Sequence, residues 1–346
     1  MSQSKFTARR NTKKFHRLMR GARVLVSTCT DVQPGEQVLV VTDEARMSIA
    51  EAVAEAARER GGDAVIAVMS PRSADAQEPP PTIAEAMKHA DVIFTPVSIS
   101  ITHTNAMKQA TARGARGAML TAYTEGLLMS QALQVDFHAL ASTCIQVAQR
   151  LTDTDEALLT TPAGTHLSMS LKGRKGNALT CVVGKGEFSP IPNIEANIVP
   201  IEGTAKGIIV VDASIPYLGI GIIRKPITLS VDRGQILRIE DGGQAQVLQE
   251  AWRVQRDPNV YNVAELGIGL NPKARMTGVM LADEGVYGTV HIGSGTSINL
   301  GGTVKAASHY DLIMWKPTLI LDGQPLLKGG KLVLRAPRLD VRSLDS

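Results

Sequence analysis

Four potential metal ligands lie in the last third of the chain. His309 and Asp311 are separated by one residue in SHYDLIMW. Residues i and i+2 of a β-strand point to the same face, so one imidazole and one carboxylate can reach the same ion. Glu265 lies in AELGIGLNP and His291 in GTVHIGSG, two strand-like segments rich in glycine. Because divalent metals bind such nitrogen and oxygen donors, these residues predict a metal site.

Less specific explanations exist for single members of this group. His291 taken alone is more typical of a histidine satisfied within a core. Glu265 has apolar neighbours, and a buried carboxylate needs a positive partner, which is either a metal or an arginine such as Arg275. Glu195, in IPNIEANIVPIEG, also lies among apolar residues and is equally well explained as a solvated loop acid. The metal hypothesis therefore depends on these side chains converging.

Two further candidates follow predicted strands in the first half of the chain. His103 lies in SITHTNAMK and Glu125 in YTEGLL. Open α/β sheets bind ligands at the carboxyl ends of their strands, so we predict substrate-binding roles for both. For His103 a purely local role at the start of a helix is the competing explanation.

Several other chemistries lack their motifs. No GxGxxG opens a helix, no Walker A pattern is present, and no GxSxG supplies a serine nucleophile. The three cysteines are Cys29, Cys144 and Cys181. Because they are odd in number and far apart, they predict buried thiols and neither a disulfide framework nor a CxxC metal site.

The pattern of elements predicts two domains. Residues 1–151 alternate short apolar strands with amphipathic helices, which is typical of a parallel α/β sheet. A capping box formed by Thr82 and Glu85 is expected to start one of these helices. Residues 152–346 contain short apolar runs, many glycines and predicted hairpins, which favours a mainly antiparallel β domain carrying the metal site. The fold class is thus α/β plus β-rich.

Composition narrows the possible partners. The net charge is +4, and basic residues cluster near the N-terminus. Without interleaved aromatic residues, that cluster is better explained as a solvated helix face than as a nucleic-acid site. No apolar signal core or run of membrane-spanning length occurs in the sequence, so we expect a soluble, cytoplasmic protein acting on a small molecule.

The five residues Glu195, Glu265, His291, His309 and Asp311, with their flanking segments, resemble the aminopeptidase T and S type of metallopeptidase and its relatives, the 2,5-dihydroxypyridine dioxygenases. The THT segment at 102–104, YTEGLL at 123–128 and TPAGTHL at 161–167 add to the resemblance. It implies a dimer-based homo-oligomer. In the peptidase branch it implies that those five residues bind two zinc ions. In the dioxygenase branch it implies one ferrous ion bound by His309, Asp311 and a second histidine. That histidine falls near position 265, where this chain has a glutamate, so His291 or Glu265 would complete the ligand set.

Two enzymatic hypotheses follow. The first is a metal-dependent hydrolase of a small amide, lactam or N-terminal peptide bond, in which zinc activates water and Glu195 or Glu265 accepts the proton. The carboxylate-rich ligand set favours it. The second is an Fe(II) extradiol-type dioxygenase that opens a hydroxylated pyridine or related N-heterocycle, with His103 orienting the ring. A non-enzymatic binding protein is a third possibility, which the cost of keeping unused buried acids disfavours.

Overall fold

The computed structural model describes residues 12–240 and 242–334. The α-helices of these residues are α1 (Lys13–Val24), α2 (Met47–Glu59), α3 (Pro81–Met87), α4 (Asn105–Ala112), α5 (Glu125–Leu128), α6 (Phe137–Thr152), α7 (Gly242–Gln255) and α8 (Met280–Asp283). A π-helical turn, Leu25–Cys29, continues α1. Single 3-10 turns occur at Glu44–Arg46, Gln131–Leu133, Pro258–Tyr261 and Ile298–Leu300.

The strands belong to three sheets. In chain order they are β1 (Gln37–Thr42), β2 (Asp63–Val68), β3 (Val92–Thr95), β4 (Arg116–Met119), β5 (Glu156–Thr160), β6 (His166–Ser170), β7 (Asn177–Leu179), β8 (Phe188–Pro190), β9 (Glu195–Ile198), β10 (Lys206–Val211), β11 (Ser214–Ile215), β12 (Gly221–Ile222), β13 (Ile227–Asp232), β14 (Gln235–Glu240), β15 (Val263–Gly269), β16 (Thr289–Gly295), β17 (His309–Trp315), β18 (Thr318–Leu321), β19 (Gln324–Lys328) and β20 (Lys331–Leu332).

A five-stranded parallel sheet has the order β2-β1-β3-β4-β8. Its central strand β3 is a continuous apolar run, and Val92, Ile93 and Phe94 are fully buried. Burial on both faces is what a parallel sheet covered by helices requires. The helix α2 shows the matching amphipathic pattern, because Ile49, Val53 and their neighbours on the same face are buried.

An eight-stranded antiparallel sheet has the order β14-β13-β10-β6-β5-β18-β19-β20. Two of its hairpins turn at residues in the left-handed region, Arg233-Gly234 (φ 46° and 73°) and Asp322-Gly323 (φ 46° and 74°). Two-residue turns with positive φ match the twist of antiparallel strands, which explains the sequence signals at these points.

A seven-stranded sheet has the order β12-β11-β17-β16-β15-β9-β7. Its strands β15 and β16 are buried along their whole length, and β17 is buried over its central residues. The pair β16–β17 is antiparallel and in register from Thr289 opposite Trp315 to Gly295 opposite His309. This regular ladder fixes which residues of the two strands share a face.

The chain divides into two compact units. Of the described residues, unit 1 contains those up to 146, 177–196 and 268–287, and it includes the parallel sheet. Unit 2 contains the described residues of 147–176 and 197–267 and those from 288 onward, and it includes the eight-stranded sheet. The division passes through β9 and β15 of the seven-stranded sheet. The contiguous domains 1–151 and 152–346 stay a prediction.

The α/β plus β-rich fold class is confirmed. The expected capping box is wrong. Helix α3 begins at Pro81 and its N-cap is Pro80, with no side-chain cap, so Thr82 lies inside the first turn. Proline has a φ suited to the first helical position, and three consecutive prolines therefore moved the helix start ahead of the threonine.

Part of the basic N-terminal cluster, Lys5, Arg9 and Arg10, lies outside the described residues. The basic residues of α1 are exposed, and Lys14 pairs with Glu125 at 2.6 Å. They form a solvated helix face in the part of the chain that the structure covers. Within that part, no helix combines the length and apolar character that crossing a bilayer demands.

Candidate metal centre

Adjacent strands of the seven-stranded sheet carry all five predicted ligands. His309 and Asp311 lie on β17, His291 lies on β16, and Glu265 lies on β15. Glu195 begins β9, which is the next strand of the sheet. The order β17-β16-β15-β9 therefore brings together residues that are up to 116 positions apart in the sequence.

The pleat of these strands places the polar groups on one face. Glu265 alternates with the buried apolar residues Ala264 and Leu266 of β15. On β16, His291 alternates with Val290 and Ile292, which are fully buried. Since alternate side chains of a strand point to opposite faces, the apolar residues fill the core while the potential ligands share the other face.

The nitrogen and oxygen atoms of four potential ligands lie close together. His309 Nε2 is 2.9 Å from Glu265 Oε2 and 3.3 Å from Asp311 Oδ1. His291 Nε2 is 3.7 Å from Glu265 Oε1 and 3.9 Å from Asp311 Oδ1. Two donors bound at about 2.1 Å to one tetrahedral or octahedral metal lie roughly 3.0–3.4 Å apart. The spacings of His309 suit a shared ion, whereas those of His291 are longer, so its imidazole would have to move inward to bind the same ion.

Two glycines make room for these side chains. A Cβ atom at Gly267 would lie 1.9 Å from Nε2 of His291. A Cβ atom at Gly293 would lie 2.7 Å from the Cβ of Glu265 and 2.7 Å from Nε2 of His309. Each glycine follows a potential ligand by two positions and therefore lies on the same face of its strand. Any larger residue would displace the imidazoles.

Two hydrogen bonds orient the ligands of β17. The hydroxyl of Tyr217 donates to Oδ2 of Asp311 at 2.8 Å, which leaves Oδ1 facing the imidazoles. Nδ1 of His309 lies 2.7 Å from the carbonyl oxygen of Thr296. A carbonyl only accepts, so Nδ1 carries the proton and Nε2 is the nitrogen that faces Glu265 and Asp311.

The charged groups of the cluster shift one another's pKa values. Burial alone would raise the pKa of Asp311, but the imidazole of His309 holds that pKa well below its usual range. Burial opposes the charged form of His309, yet Asp311 and Glu265 raise its pKa well above the ordinary value. The pKa of Glu265 is lowered, because hydrogen bonds from His291 and His309 outweigh its burial. The metal-free cluster thus holds ionised carboxylates against a protonated imidazole.

A third carboxylate extends the cluster along β9. Glu195 is 2% exposed, and the side-chain amide of Asn193 donates to its Oε2 at 2.9 Å and to Oε2 of Glu284 at 3.1 Å. One ligand atom from each of Glu195, Glu265 and His291 lies within 4.8 Å of the others. The same holds for Glu265, His309 and Asp311. Glu265 belongs to both groups.

The donor set fits a divalent cation. Ionised Glu265 and Asp311 carry two negative charges against one protonated imidazole, and both are 4–5% exposed. In the described part of the chain, neither pairs with arginine or lysine. Arg275, the alternative partner considered for Glu265, is exposed. Replacing the proton of His309 by a divalent ion would neutralise charge that is costly to bury.

The two candidates from the parallel sheet have local partners. Glu125 accepts a hydrogen bond from Ser48 at 2.8 Å and pairs with Lys14, which lowers its pKa. His103 is exposed, precedes the N-cap residue of α4, and packs edge-on against Phe188 with ring centroids 6.4 Å apart. Their roles in substrate binding stay predictions.

The three cysteines are free and buried, and burial raises the pKa of Cys144 to about 12. Sequence reasoning did not identify Tyr217, Thr296, Gly267 or Gly293. The glycines carried a signal, since each lies two residues after a candidate ligand. Tyr217 carried none, because only the pairing of β11 with β17 brings its segment to Asp311.

Known proteins resemble the chain over most of its length. The family model of 2,5-dihydroxypyridine 5,6-dioxygenase (NicX) matches residues 22–334. The curated 2,5-dihydroxypyridine 5,6-dioxygenase of Pseudomonas putida KT2440 is 28% identical over 146 residues, which are 39% of this chain and 41% of that protein. The matched segment thus spans about two fifths of the curated relative.

Two solved structures share the fold. The 2,5-dihydroxypyridine dioxygenase from Pseudomonas putida KT2440 has a TM-score of 0.79 at 19% identity, covering 93% of this chain and 98% of the other. AmpT from Thermus thermophilus has a TM-score of 0.66 at 14% identity, covering 92% and 99%. At these identities the likeness shows the arrangement of elements only.

Proposed function

Because the chain belongs to the family of the 2,5-dihydroxypyridine 5,6-dioxygenases, we propose that it is a metal-dependent enzyme that uses O₂ to open a hydroxylated pyridine or a related N-heterocycle. The observation that carries the proposal is the family match over residues 22–334. The buried residues His291 and Asp311 and the half-buried His309 lie next to one another on β16 and β17. Two histidines and one carboxylate form the ligand set typical of non-haem Fe(II) oxygenases. The sequence alone favoured hydrolysis over oxygenation, whereas the family match favours oxygenation.

His291, His309 and Asp311 would hold the iron, with Glu265 beside them. A ferrous ion bound there supplies the redox chemistry that lets O₂ react with an aromatic ring. Tyr217 keeps Asp311 Oδ1 turned inward, and Thr296 keeps Nε2 of His309 turned inward. A hydroxylated ring gives up a proton on binding, and Glu195 and Glu265 are the buried carboxylates proposed to accept it. His103 is proposed to orient the ring, and Glu125 to assist binding.

A specific observation favours a second candidate function, hydrolysis of a small amide or N-terminal peptide bond. The groups Glu195–Glu265–His291 and Glu265–His309–Asp311 overlap at one carboxylate, which is an arrangement suited to two ions sharing a bridging ligand. Three carboxylates also offset more positive charge than one ferrous ion supplies. In this case Glu195 would accept the proton of the attacking water, and zinc would be the metal.

The deciding experiment loads metal-free protein with Fe²⁺ or with Zn²⁺ and follows dissolved oxygen after addition of 2,5-dihydroxypyridine. Ring opening predicts oxygen uptake with iron, none with zinc, and loss of pyridine absorbance in step with the oxygen consumed. The Asp311→Asn variant should abolish uptake. Anaerobic cleavage of an aminoacyl amide by the zinc form, with no oxygen uptake by the iron form, would replace this proposal by hydrolysis.

The proposed partners are a small-molecule substrate and further copies of the same chain in a dimer-based assembly. Light scattering of the purified protein measures the assembly directly, and a monomer at micromolar concentration would contradict it.

A further inference from the structure

The connection between β16 and β17, residues 296–308, touches the metal centre at both ends. It starts directly after Gly295 and leads into His309. At its base, Thr296 N donates to the carbonyl of Ser308 at 2.9 Å, and the carbonyl of Thr296 accepts from Nδ1 of His309 at 2.7 Å. The position of Thr296 therefore sets the direction in which Nε2 of His309 points.

The interior of this connection is closed by a second set of hydrogen bonds. Ser297 N donates to the carbonyl of Val304 at 2.9 Å, and Val304 N donates to Oγ of Ser297 at 3.2 Å. The hydroxyl of Thr296 also donates to the carbonyl of Val304 at 3.2 Å. A Cβ atom at Gly302 would lie 2.2 Å from Oγ of Ser297, so the segment is tightly packed. Residues 302 and 304 are thus in direct contact with residues 296 and 297.

Two charged residues from elsewhere in unit 2 hold the outer part of the connection. Oε1 of Glu202 accepts from the backbone N–H of Thr303 at 2.9 Å and from its hydroxyl at 3.0 Å. Arg174 donates to the carbonyl of Gly301 at 3.0 Å and forms an ion pair with Glu202. The side chains of Arg174 and Glu202 are only 16% and 25% exposed. Burial opposes ionisation of Glu202, but its hydrogen bonds with Thr303 and the charge of Arg174 lower its pKa.

We propose that the Arg174–Glu202 pair is a positioning device for His309. The pair fixes residues 301–303, these fix Thr296 through Val304 and Ser297, and the carbonyl of Thr296 fixes the imidazole. Neither residue touches the ligand atoms, so their influence passes through the connection. The inference rests on the metal centre of the proposed function, and it adds that an ion pair outside that centre controls how firmly the ion is held.

The chain contains a matched control. Glu36 and Arg116 of unit 1 form an ion pair at 2.6 Å with 20% and 15% exposure. Glu36 also accepts a backbone N–H, from Gln33 at 2.8 Å, and Arg116 also donates to a backbone carbonyl, that of Thr30 at 2.8 Å. The two pairs share chemistry and burial, but only one holds a segment that ends at a proposed ligand.

The test compares Glu202→Gln with Glu36→Gln in the full chain, loaded with Zn²⁺. Both variants should lower the melting temperature of the metal-free protein to a similar extent, because each loses one partly buried ion pair. Transfer of zinc to a chromogenic chelator should be about tenfold faster in Glu202→Gln and unchanged in Glu36→Gln, since orienting groups typically change metal affinity by 10–100-fold. Thr303→Val, which removes one hydrogen bond and keeps the ion pair, should give a smaller acceleration.

A second readout does not need metal. In ¹⁵N spectra of the metal-free protein, the Nδ1–H signal of His309 should be sharp in wild type and Glu36→Gln and should broaden in Glu202→Gln. Equal zinc release from all three proteins, with the signal unchanged, would overturn the inference. A wild-type protein that binds neither zinc nor iron would instead contradict the proposed function. Failure of the positioning role and failure of the proposed function are therefore distinguishable.

Discussion

The ion-paired carboxylates around the parallel sheet and the clustered carboxylates on the seven-stranded sheet face different cations. Around the parallel sheet, Glu36 pairs with Arg116, Glu59 with Arg23, and Glu125 with Lys14, at 2.6–2.7 Å. On the seven-stranded sheet, Glu265 and Asp311 face imidazoles. Arginine and lysine keep their charge at physiological pH, whereas an imidazole can give up its proton.

This difference separates structural pairs from a potential site. A carboxylate held by arginine is already neutralised, and no ion is needed to complete it. A buried carboxylate held by a protonated imidazole can exchange that proton for a metal without losing its partner. Gly267 and Gly293 leave room for the imidazoles. Among the described residues, no glycine makes room in this way for the ion pairs around the parallel sheet.

The largest expected effect follows from removing a ligand. His309→Ala and Asp311→Ala should each abolish metal retention while the protein stays folded, because a site that loses one of its few ligands no longer competes with water for the ion. Metal content after gel filtration, with circular dichroism as the check of folding, measures this. Glu36→Ala is the control and should keep its metal. Stoichiometric metal in either ligand variant would contradict the assignment.

Adding one methyl group on the ligand face should have nearly as large an effect. Gly267→Ala and Gly293→Ala would place a carbon 1.9 Å and 2.7 Å from imidazole nitrogens, so we expect metal affinity to fall by about 100-fold. Gly243→Ala is the matched control, since nothing lies within 4 Å of its added Cβ and its φ is not positive. Isothermal titration of metal-free protein with Zn²⁺ gives the affinities. Unchanged affinity in both variants would show that the imidazoles are not the ligands.

Removing one orienting hydrogen bond should have a moderate effect. Tyr217→Phe keeps the ring that packs against Tyr310 at 5.3 Å and deletes the hydroxyl that donates to Asp311. We expect metal affinity about tenfold weaker than wild type, as for other groups that orient a ligand. Tyr261→Phe serves as a control on another tyrosine that packs edge-on against Trp252. Equal metal affinities in the two variants would show that the hydroxyl of Tyr217 does not orient Asp311 for metal binding.

The smallest expected effect is a pH dependence of stability in the metal-free protein. The pKa of His309 is raised above its unfolded value of about 6.5. Its contribution is therefore complete below that value and is lost as pH rises through the folded pKa. The pKa of Asp311 is lowered, so its contribution is present above about 3.9 and is lost as pH falls through the folded pKa.

Melting temperatures of chelator-treated protein between pH 6 and 9 test this linkage. Wild type should lose stability as pH rises, whereas His309→Asn should depend less on pH over this range. Glu36→Gln should follow wild type, because the pKa of the carboxylate that it replaces is lowered from an ordinary value already far below this range. If the melting temperature changed with pH equally in all three proteins, the neighbouring carboxylates would not be holding His309 in its protonated form.

The sequence was informative where local pattern decides geometry. His309 and Asp311 share a strand face because they are two residues apart, and Glu265 and His291 stood out as polar groups in apolar, glycine-rich strands. Tyr217 and Thr296 depend on which strands become neighbours and on the path of a connection, which no local pattern specifies. At Thr82 a local pattern was misleading. The sequence predicted that Thr82 caps the helix, but the helix begins at Pro81 because proline favours the first helical position.

The choice between oxygenation and hydrolysis was open in the sequence for a chemical reason. Histidines and carboxylates are ligands both in zinc hydrolases and in non-haem iron oxygenases, so ligand type alone does not determine the reaction. The match of the family model supplied the preference. What the geometry adds is the shared carboxylate Glu265, which keeps a two-ion site chemically reasonable.

Anomalous diffraction at the iron edge from crystals loaded with Fe²⁺ tests the central claim most directly. The account predicts a strong peak within about 2.0–2.3 Å of His291 Nε2, His309 Nε2 and a carboxylate oxygen of Asp311. A second peak beside Glu195 would indicate a centre with two metal ions. Stoichiometric iron located elsewhere, with Glu265, His291, His309 and Asp311 contacting only one another, would contradict it.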